Sequence, residues 1–456
     1  MDGPIGYAAG LEYRRESSNN ELDPITRGIL PEGSSLGAGQ FVGDVDPFLN
    51  SFTSIDNTRR FNTSGSYDVR EAFAEIRIPI LQGREFFEEL TLDGAINYAD
   101  YSTSGGQTTW KIGGTWKPVN ELSIRGTLSQ AVRAPNIAEL FDPENPIFIG
   151  SNQDPCDPGN VGLGTNPDIR QANCIAGLQA AGVVQSAIVD GAGNYIWQNP
   201  LTGRFAGVSG GNPELDPETS DSYTIGAVFR PSFIDRLSIT VDYWNIEIEN
   251  AIDAVASGDI LDGCYDSADF PNVPFCGSFT RRGDGGLDFL RSGTINFARL
   301  EAGGVDFAAN YGFDIGENSF GARLVGSYQE KLDRFFNPLD LTEVDPELQE
   351  VQRPELSGNL ILSWDRGPFG LGFQTSYQSK QSVDEIEDVL AGDFGNAGFF
   401  DETFIFDVNG SYELNDNFSF YGGVNNIADK DPFSTETAWP VGPRGRFFFL
   451  GVNYKM

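Results

Sequence analysis

Apolar and polar residues alternate with a period of two along most of this chain. The final segment, residues 446–456, shows the pattern most plainly: Phe448, Leu450, Val452, Tyr454 and Met456 share one parity and are all apolar, while Asn453 and Lys455 break up the other. Period two describes an extended strand whose side chains alternate between two faces. A face without charge over that length predicts a strand with one side against something greasy. The same alternation recurs in residues 5–16, 69–80, 90–98, 110–116, 122–128, 223–230, 237–243, 305–311, 320–328, 356–364, 369–377, 404–412 and 418–424. In the clearest pair, Trp110, Ile112, Gly114 and Trp116 stand against Lys111, Thr115 and Lys117, and Leu122, Ile124, Gly126 and Leu128 against Ser123, Arg125 and Thr127.

That makes about 14 strands, and the connections between them alternate in length. Short links fall near Gln82, Pro118, Pro231, Ile315, Arg366 and Asn415, and long ones span 133–221, 250–292, 329–354, 378–402 and 427–446. A solvated face opposite an apolar one also suits a soluble sandwich. Tight turns on one rim with long loops on the other, however, describe an up-and-down membrane barrel. Aromatics cluster at the apolar strand ends (Tyr98, Trp110, Trp116, Trp364, Tyr377, Tyr412), as interfacial girdles do. The pattern therefore predicts an all-β fold: a transmembrane antiparallel up-and-down β-barrel with short periplasmic turns and long extracellular loops.

Composition narrows the chemistry. No apolar run approaches the length of a transmembrane helix. The formal charge is -36 and there is no His, so nucleic acid is excluded as a partner for want of a basic face. Triads and metal sites that need imidazole are excluded too. Close carboxylates such as Glu247/Glu249 share a strand face, as a wet lumen wall also requires, and no Gly-x-Ser-x-Gly elbow or phosphate-cradling loop accompanies them. The expectation is a protein that is not an enzyme and carries no cofactor or metal. The acids of 381–402 form no calcium-binding ladder and read as a solvated loop face. The four Cys fall as two close pairs inside loops, Cys156/Cys174 and Cys264/Cys276; these are candidate disulfides, with metal binding as the competing reading.

Four segments resemble a known family as they stand. Residues 128–141, LSQAVRAPNIAELF, resemble the strand-to-loop motif of TonB-dependent outer-membrane receptors, and residues 211–220, GNPELDPETS, resemble their approach back into the barrel. Residues 424–432, VNNIADKDP, and 444–456, RGRFFFLGVNYKM, are similar to the family's last loop and terminal strand. The matches come in the family's order. The resemblance implies an outer-membrane receptor of a Gram-negative bacterium that binds a scarce large solute, a ferric siderophore, cobalamin or an oligosaccharide, at its external loops. It would pass the solute inward with energy from the TonB system acting through a plug.

Two departures stand out. The family ends in Phe where this chain has Met456, which weakens the signal read by the barrel-assembly machinery. The signal peptide, TonB box, plug and early strands of a 22-stranded barrel are not visible, so residues 1–456 read as the C-terminal portion of the β-barrel domain. With its outer strand unpaired unless 5–16 meets 446–456, such a fragment is expected to insert poorly.

Function then falls to the long loops. The first carries Arg133, Phe148, Tyr195, Trp197 and Phe205, and the second Tyr265, Phe270, Phe275, Phe279, Arg281 and Arg282. Aromatics in a polar loop stack on sugar rings and aromatic chelators, or pack the loop against itself. The ligand-binding candidates are Arg133, Tyr195, Trp197, Phe205, Arg281 and Arg282; Arg133 equally suits a structural place at the strand end. Acids outnumber bases in the first loop, which disfavours a highly anionic chelate and leaves neutral glycans. A passive diffusion porin and a soluble all-β binding protein are the alternative functions.

Overall fold

The computed structural model describes residues 3–23, 26–27, 60–164, 166–335, 344–392, 394–433 and 439–455. Fourteen long strands follow one another in chain order: β1 (Gly6–Asn20), β2 (Thr63–Arg84), β3 (Phe87–Tyr101), β4 (Gly105–Val119), β5 (Leu122–Arg133), β6 (Glu218–Phe229), β7 (Ser238–Val255), β8 (Leu287–Ile315), β9 (Asn318–Phe335), β10 (Leu356–Arg366), β11 (Phe369–Gln378), β12 (Thr403–Asn415), β13 (Phe418–Asn425) and β14 (Phe447–Tyr454). Each pairs antiparallel with the next. All the alternating segments of the sequence lie in these strands, to within two residues at their ends.

The registers collect the apolar parity on one face. Tyr7 lies opposite Ile76, Ile112 opposite Leu128, Leu128 opposite Tyr223, and Trp364 opposite Leu371. This face is uncovered: Leu11 is 87% exposed and Leu450 85%. So broad an apolar surface is stable only against an apolar medium. A sandwich would instead bury these side chains under a second sheet.

Aromatics bound the greasy band on both sides. Tyr223, Tyr243, Tyr328 and Tyr377 lie toward the long loops; Trp116, Trp364, Phe369 and Tyr412 lie toward the short turns. Phe369 and Tyr377 are eight positions apart on β11 (377 − 369). At ~3.4 Å per residue that is ~27 Å along the strand, or ~21 Å of thickness for a strand tilted ~40°. The apolar band of outer-membrane barrels has a similar height, ~25 Å.

The short rim is built from hairpins. Gly316 (φ 64°) and Gly367 (φ 52°) open two-residue links, where a left-handed first position matches the twist of the flanking strands. Among the described residues the opposite rim carries 134–164, 166–217, 256–286, 344–355, 379–392, 394–402, 426–433 and 439–446; one link there, 102–104, is short.

Two features differ from the alternation. Strands β2, β7, β8 and β9 continue well past the greasy band on the long-loop side, and β8 reaches 29 residues. Charge pairs hold the ladder there: Arg299 reaches across to Glu247 (2.9 Å) and along its own strand to Glu301 (2.8 Å), and Lys331 reaches across to Glu301 (2.6 Å). Charges on the formerly apolar parity erase the period-two signal, so the sequence places these strand ends too early. Second, β1 pairs only with β2 and β14 only with β13, leaving both sheet edges open among the described residues. In β14, Phe448, Leu450, Val452 and Tyr454 project onto the exposed apolar face; Met456 lies outside the described residues.

Candidate functional site

The long-loop rim is the candidate site, and its base is a polar knot. Pro135 ends β5, and Asn136 caps the short helix Ile137–Phe141. The Asn136 side chain accepts from the Glu139 N–H (2.9 Å), and Glu139 Oε2 accepts from the Asn136 N–H (2.7 Å), a reciprocal capping box. Arg133 donates to the same Glu139 (2.9 Å) and, through Nε and Nη2, to both oxygens of Glu218 (2.5 and 2.8 Å). Glu218 also accepts the Ile252 N–H (2.7 Å). Its two carboxylates hold the Arg133 pKa above the usual arginine value, the Glu218 hydrogen bond foremost. Gly211 and Asn212 donate backbone N–H groups to Asp142 O and Glu139 O. The segments 128–141 and 211–220 thus close one structure, in which the two ends of loop 134–217 are tied to β7.

Above this knot, loops 134–217 and 256–286 fold together into a cap. One buried cluster joins Ile149 and Phe205 of the first loop to Ile260, Leu261, Cys264, Val273 and Phe275 of the second. Another joins Cys156, Cys174, Leu178, Ile188 and Trp197 to Tyr265. Disulfides link Cys156 to Cys174 and Cys264 to Cys276. Residues Arg204–Gly210 lie parallel to the start of β8, which continues the sheet into the cap. Two buried ion pairs bridge the loops: Arg281 with Asp154 (2.6 Å) and Arg170 with Asp266 (2.5 Å). Arg281 also donates to Tyr265 Oη (2.7 Å) and Gly285 O (2.7 Å), and lies over the Tyr265 ring at 5.1 Å.

The six loop candidates therefore separate. Trp197 and Phe205 are buried in the cap, with Trp197 Nε1 donating to Asp284 O (3.4 Å). Tyr195 donates to Cys156 O (2.7 Å), and burial together with Asp154 pushes its phenol pKa up. Arg281 is sealed in its ion pair. These four pack the loops against themselves, because the only apolar environment available above the membrane is the one the loops make for each other. Arg133 keeps nearly half its side chain in solvent although it is paired, and Arg282 lies at the surface beside Asp284 (3.2 Å). Residues of equal weight that the sequence did not single out are Asp154, Arg170, Glu218 and Asp266. The one available signal was charge of opposite sign in motifs at the two ends of a loop, as with Arg133 and Glu218.

A second loop module gathers 344–355, 379–392, 394–402, 426–433 and 439–446. Gln381, fully buried, accepts from the Gln352 N–H (2.6 Å) and from Trp439 Nε1 (3.2 Å). The Phe400 and Phe433 rings stack at 4.3 Å. At its base Asn426, left-handed at φ 52°, accepts the Lys430 N–H (2.8 Å), donates through its side chain to Lys430 O (2.8 Å), and donates its N–H to Asp407 (2.7 Å). Asp429 accepts the Arg446 N–H (2.8 Å). The segments 424–432 and 444–456 are thus also two halves of one joint.

The polar face of the staves is charged. Arg125 donates through Nε and Nη2 to both oxygens of Asp242 (2.9 and 2.7 Å), reaching across Gly226; a Cβ there would lie 1.8 Å from Asp242 Oδ1. A groove of about 380 Å³ on this face is lined by Phe73, Glu75, Asn97, Gln107, Lys111 and Ser129, among others. Among the described residues no group of three or more acids or Cys is placed to hold a metal ion.

Comparison with solved structures places this wall among known barrels. The ferric enterobactin receptor of Pseudomonas aeruginosa is similar over 99% of this chain and 51% of its own, at 14% identity and a TM-score of 0.58. The siderophore receptor PirA from Acinetobacter baumannii is similar over 100% and 52%, at 15% identity and 0.58. The copper transporter OprC is similar over 99% and 54%, at 14% identity and 0.51. At such identities the likeness is one of fold, and the chain spans about half the length of these structures. A family model described as TonB dependent receptor-like, beta-barrel, matches residues 4–427. With four motifs closing two joints beneath the loops and a fourteen-stave wall between aromatic girdles, the chain belongs to the TonB-dependent receptor β-barrel family.

Proposed function

We propose that residues 1–456 are the C-terminal portion of the β-barrel domain of an outer-membrane active-transport receptor in a Gram-negative bacterium. The whole receptor binds a scarce solute too large for porins, a ferric siderophore, cobalamin or an oligosaccharide, and passes it to the periplasm with energy from the TonB system acting through a plug. Family and fold are those of receptors and transporters. The observation that carries the reading is the pairing of a greasy face, bounded by two girdles, with folded loop modules on one rim. A passive pore has no need of a cap with its own core and two disulfides. Outer-membrane lipid covers the apolar face, the barrel-assembly machinery engages β14, and Arg133 and Arg282 are the candidates that still face the solute.

Deleting the gene and growing the cells on ferric chelates, cobalamin or oligosaccharides as limiting nutrient tests this. Loss of uptake of one solute, matched by its loss when TonB is removed, is the expected result. Uptake of that solute without TonB would point to passive diffusion and overturn the proposal.

A further inference from the structure

Below the short link 102–104, between β3 and β4, the wall carries the groove on the polar face of β2 to β5. Its shape follows from the registers. One row across the strands is Phe73, Asn97 and Thr109, and the next is Glu75, Ala95, Lys111 and Ser129. Ala95, Ala99 and Ala131 are small, and they leave a trough between their longer neighbours. At its upper end Tyr101 and Ile137, in the foot of the cap, pack on Tyr67, Val69 and Ala99. Arg133, which keeps nearly half its side chain in solvent, stands two positions beyond Ala131 (133 − 131) on the same face of β5. The groove therefore leads from the short link and Arg133 into the wall.

Asn97 Oδ1 is buried in this trough with no hydrogen-bond partner. A buried acceptor left unpaired is costly, so a donor that enters the groove is favoured there. In the link above, the Thr103 and Ser104 hydroxyls are likewise buried and unpartnered. Gln107, Thr109 and Ser129 add uncharged polar groups to the lining, whose charges are one acid, Glu75, and one base, Lys111. Phe73 supplies an aromatic surface: its ring lies against Gly10, where a Cβ would come within 2.5 Å of Phe73 Cε1, and it remains 40% exposed. The volume, about 380 Å³, is toward the lower end of small-molecule pockets, ~300–1,000 Å³. An aromatic ring, a floor of small residues and balanced charge suit an uncharged ring that is apolar on its face and hydroxylated at its edge, as a sugar is. A polyanionic iron chelate would meet a single cation, opposed by Glu75.

We propose that the groove is a subsite for one ring of a neutral oligosaccharide, with Phe73 against a face of the ring and Asn97 Oδ1 accepting from one of its hydroxyls. The inference rests on the receptor reading above and narrows its solute to an uncharged glycan, met after Arg133 on the way in. A hold on one ring of about a dozen non-hydrogen atoms corresponds to a Kd of ~1–10 mM. So weak a hold suits a subsite that passes its ligand on.

Titrating the full chain in detergent with cellotriose, maltotriose and xylotriose, read by saturation-transfer NMR on the sugar protons, tests the subsite. At least one sugar should bind in that range, and a ferric tris-catecholate should not displace it. Phe73→Ala should weaken binding at least ~tenfold, and Asn97→Ala ~threefold or more. Gln374→Ala, on the polar face of β11, should leave it unchanged. If Phe73→Ala loses its thermal transition, Asn97→Ala with a wild-type melting temperature decides. No binding of any of the three sugars, displacement by the chelate, or unchanged binding in Asn97→Ala would overturn the proposal. The receptor reading fails separately: sugar held in the groove with uptake that ignores TonB would sink transport and leave the subsite. TonB-dependent uptake of a chelate with no sugar bound would do the reverse.

Discussion

Replacing Arg281 by Ala strikes the most buried ionic contact between the two cap loops. The side chains of Arg281 and Asp154 are 4% and 0% exposed, and their closest approach is 2.6 Å. Without the guanidinium, Asp154 keeps the Cys156 N–H (3.0 Å) and a long contact from Asn199 Nδ2 (3.5 Å), and its charge is otherwise stranded. Breaking a buried pair in this way costs ~3–5 kcal/mol. At ~1.4 kcal/mol per tenfold, the cap should open two to four powers of ten more often. The Cys156–Cys174 bond reports that opening, since both residues are 0% exposed and a reductant must wait for the cap to open. Pulsed reduction and alkylation, read by mass spectrometry, should be at least ~100-fold faster in Arg281→Ala. Arg282→Ala removes only a surface pair and should change the rate less than ~fivefold. The double variant Asp154→Leu/Arg281→Met removes both charges and should recover much of the loss. A rate within ~threefold of wild type in Arg281→Ala would refute the claim that this pair seals the cap.

Three further outcomes follow from the same contacts. Trp197→Ala empties a site at the centre of the cap core and should cost ~3–5 kcal/mol of cap stability, visible as a lower cap unfolding midpoint with β-sheet circular dichroism unchanged. Gly226→Ala drives a methyl into Asp242 and should part Arg125 from Asp242; ~1–3 kcal/mol is expected, measured as a lower melting temperature of the sheet. Asn426→Ala forfeits the bonds to Lys430 and forces a left-handed backbone on Ala. It should cost ~2 kcal/mol and lower the yield of folded protein in membranes, with Asn426→Gly recovering only the backbone part.

The staves were legible in the sequence because their cause is local. A strand with one side in an apolar medium must alternate, so Trp110–Ile112–Gly114–Trp116 declares both its conformation and its face. The legibility stops where the medium changes. Beyond the greasy band, β8 is held by Arg299, Glu247 and Glu301, whose charges carry no period-two apolar signature, and its real length was hidden. The loops were least legible. Arg281 and Asp154 lie 127 positions apart, and nothing in either neighbourhood marks the other as a partner. Arg133 was visible as a motif residue, but Glu218 became its partner only when β5 and β6 were placed side by side.

The most direct test of the account asks which parity of a stave meets lipid. No cysteine of the described chain is free, so single cysteines can be introduced one at a time along β11 in membranes carrying the protein. Cysteines at Leu371, Phe373 and Thr375 should resist a water-soluble thiol reagent and, once labelled, be quenched by lipid-borne probes. Those at Gly372, Gln374 and Ser376 should react with the reagent and escape quenching. Uniform reactivity along the strand, or quenching that follows the polar parity, would contradict a wall with its greasy side in the bilayer.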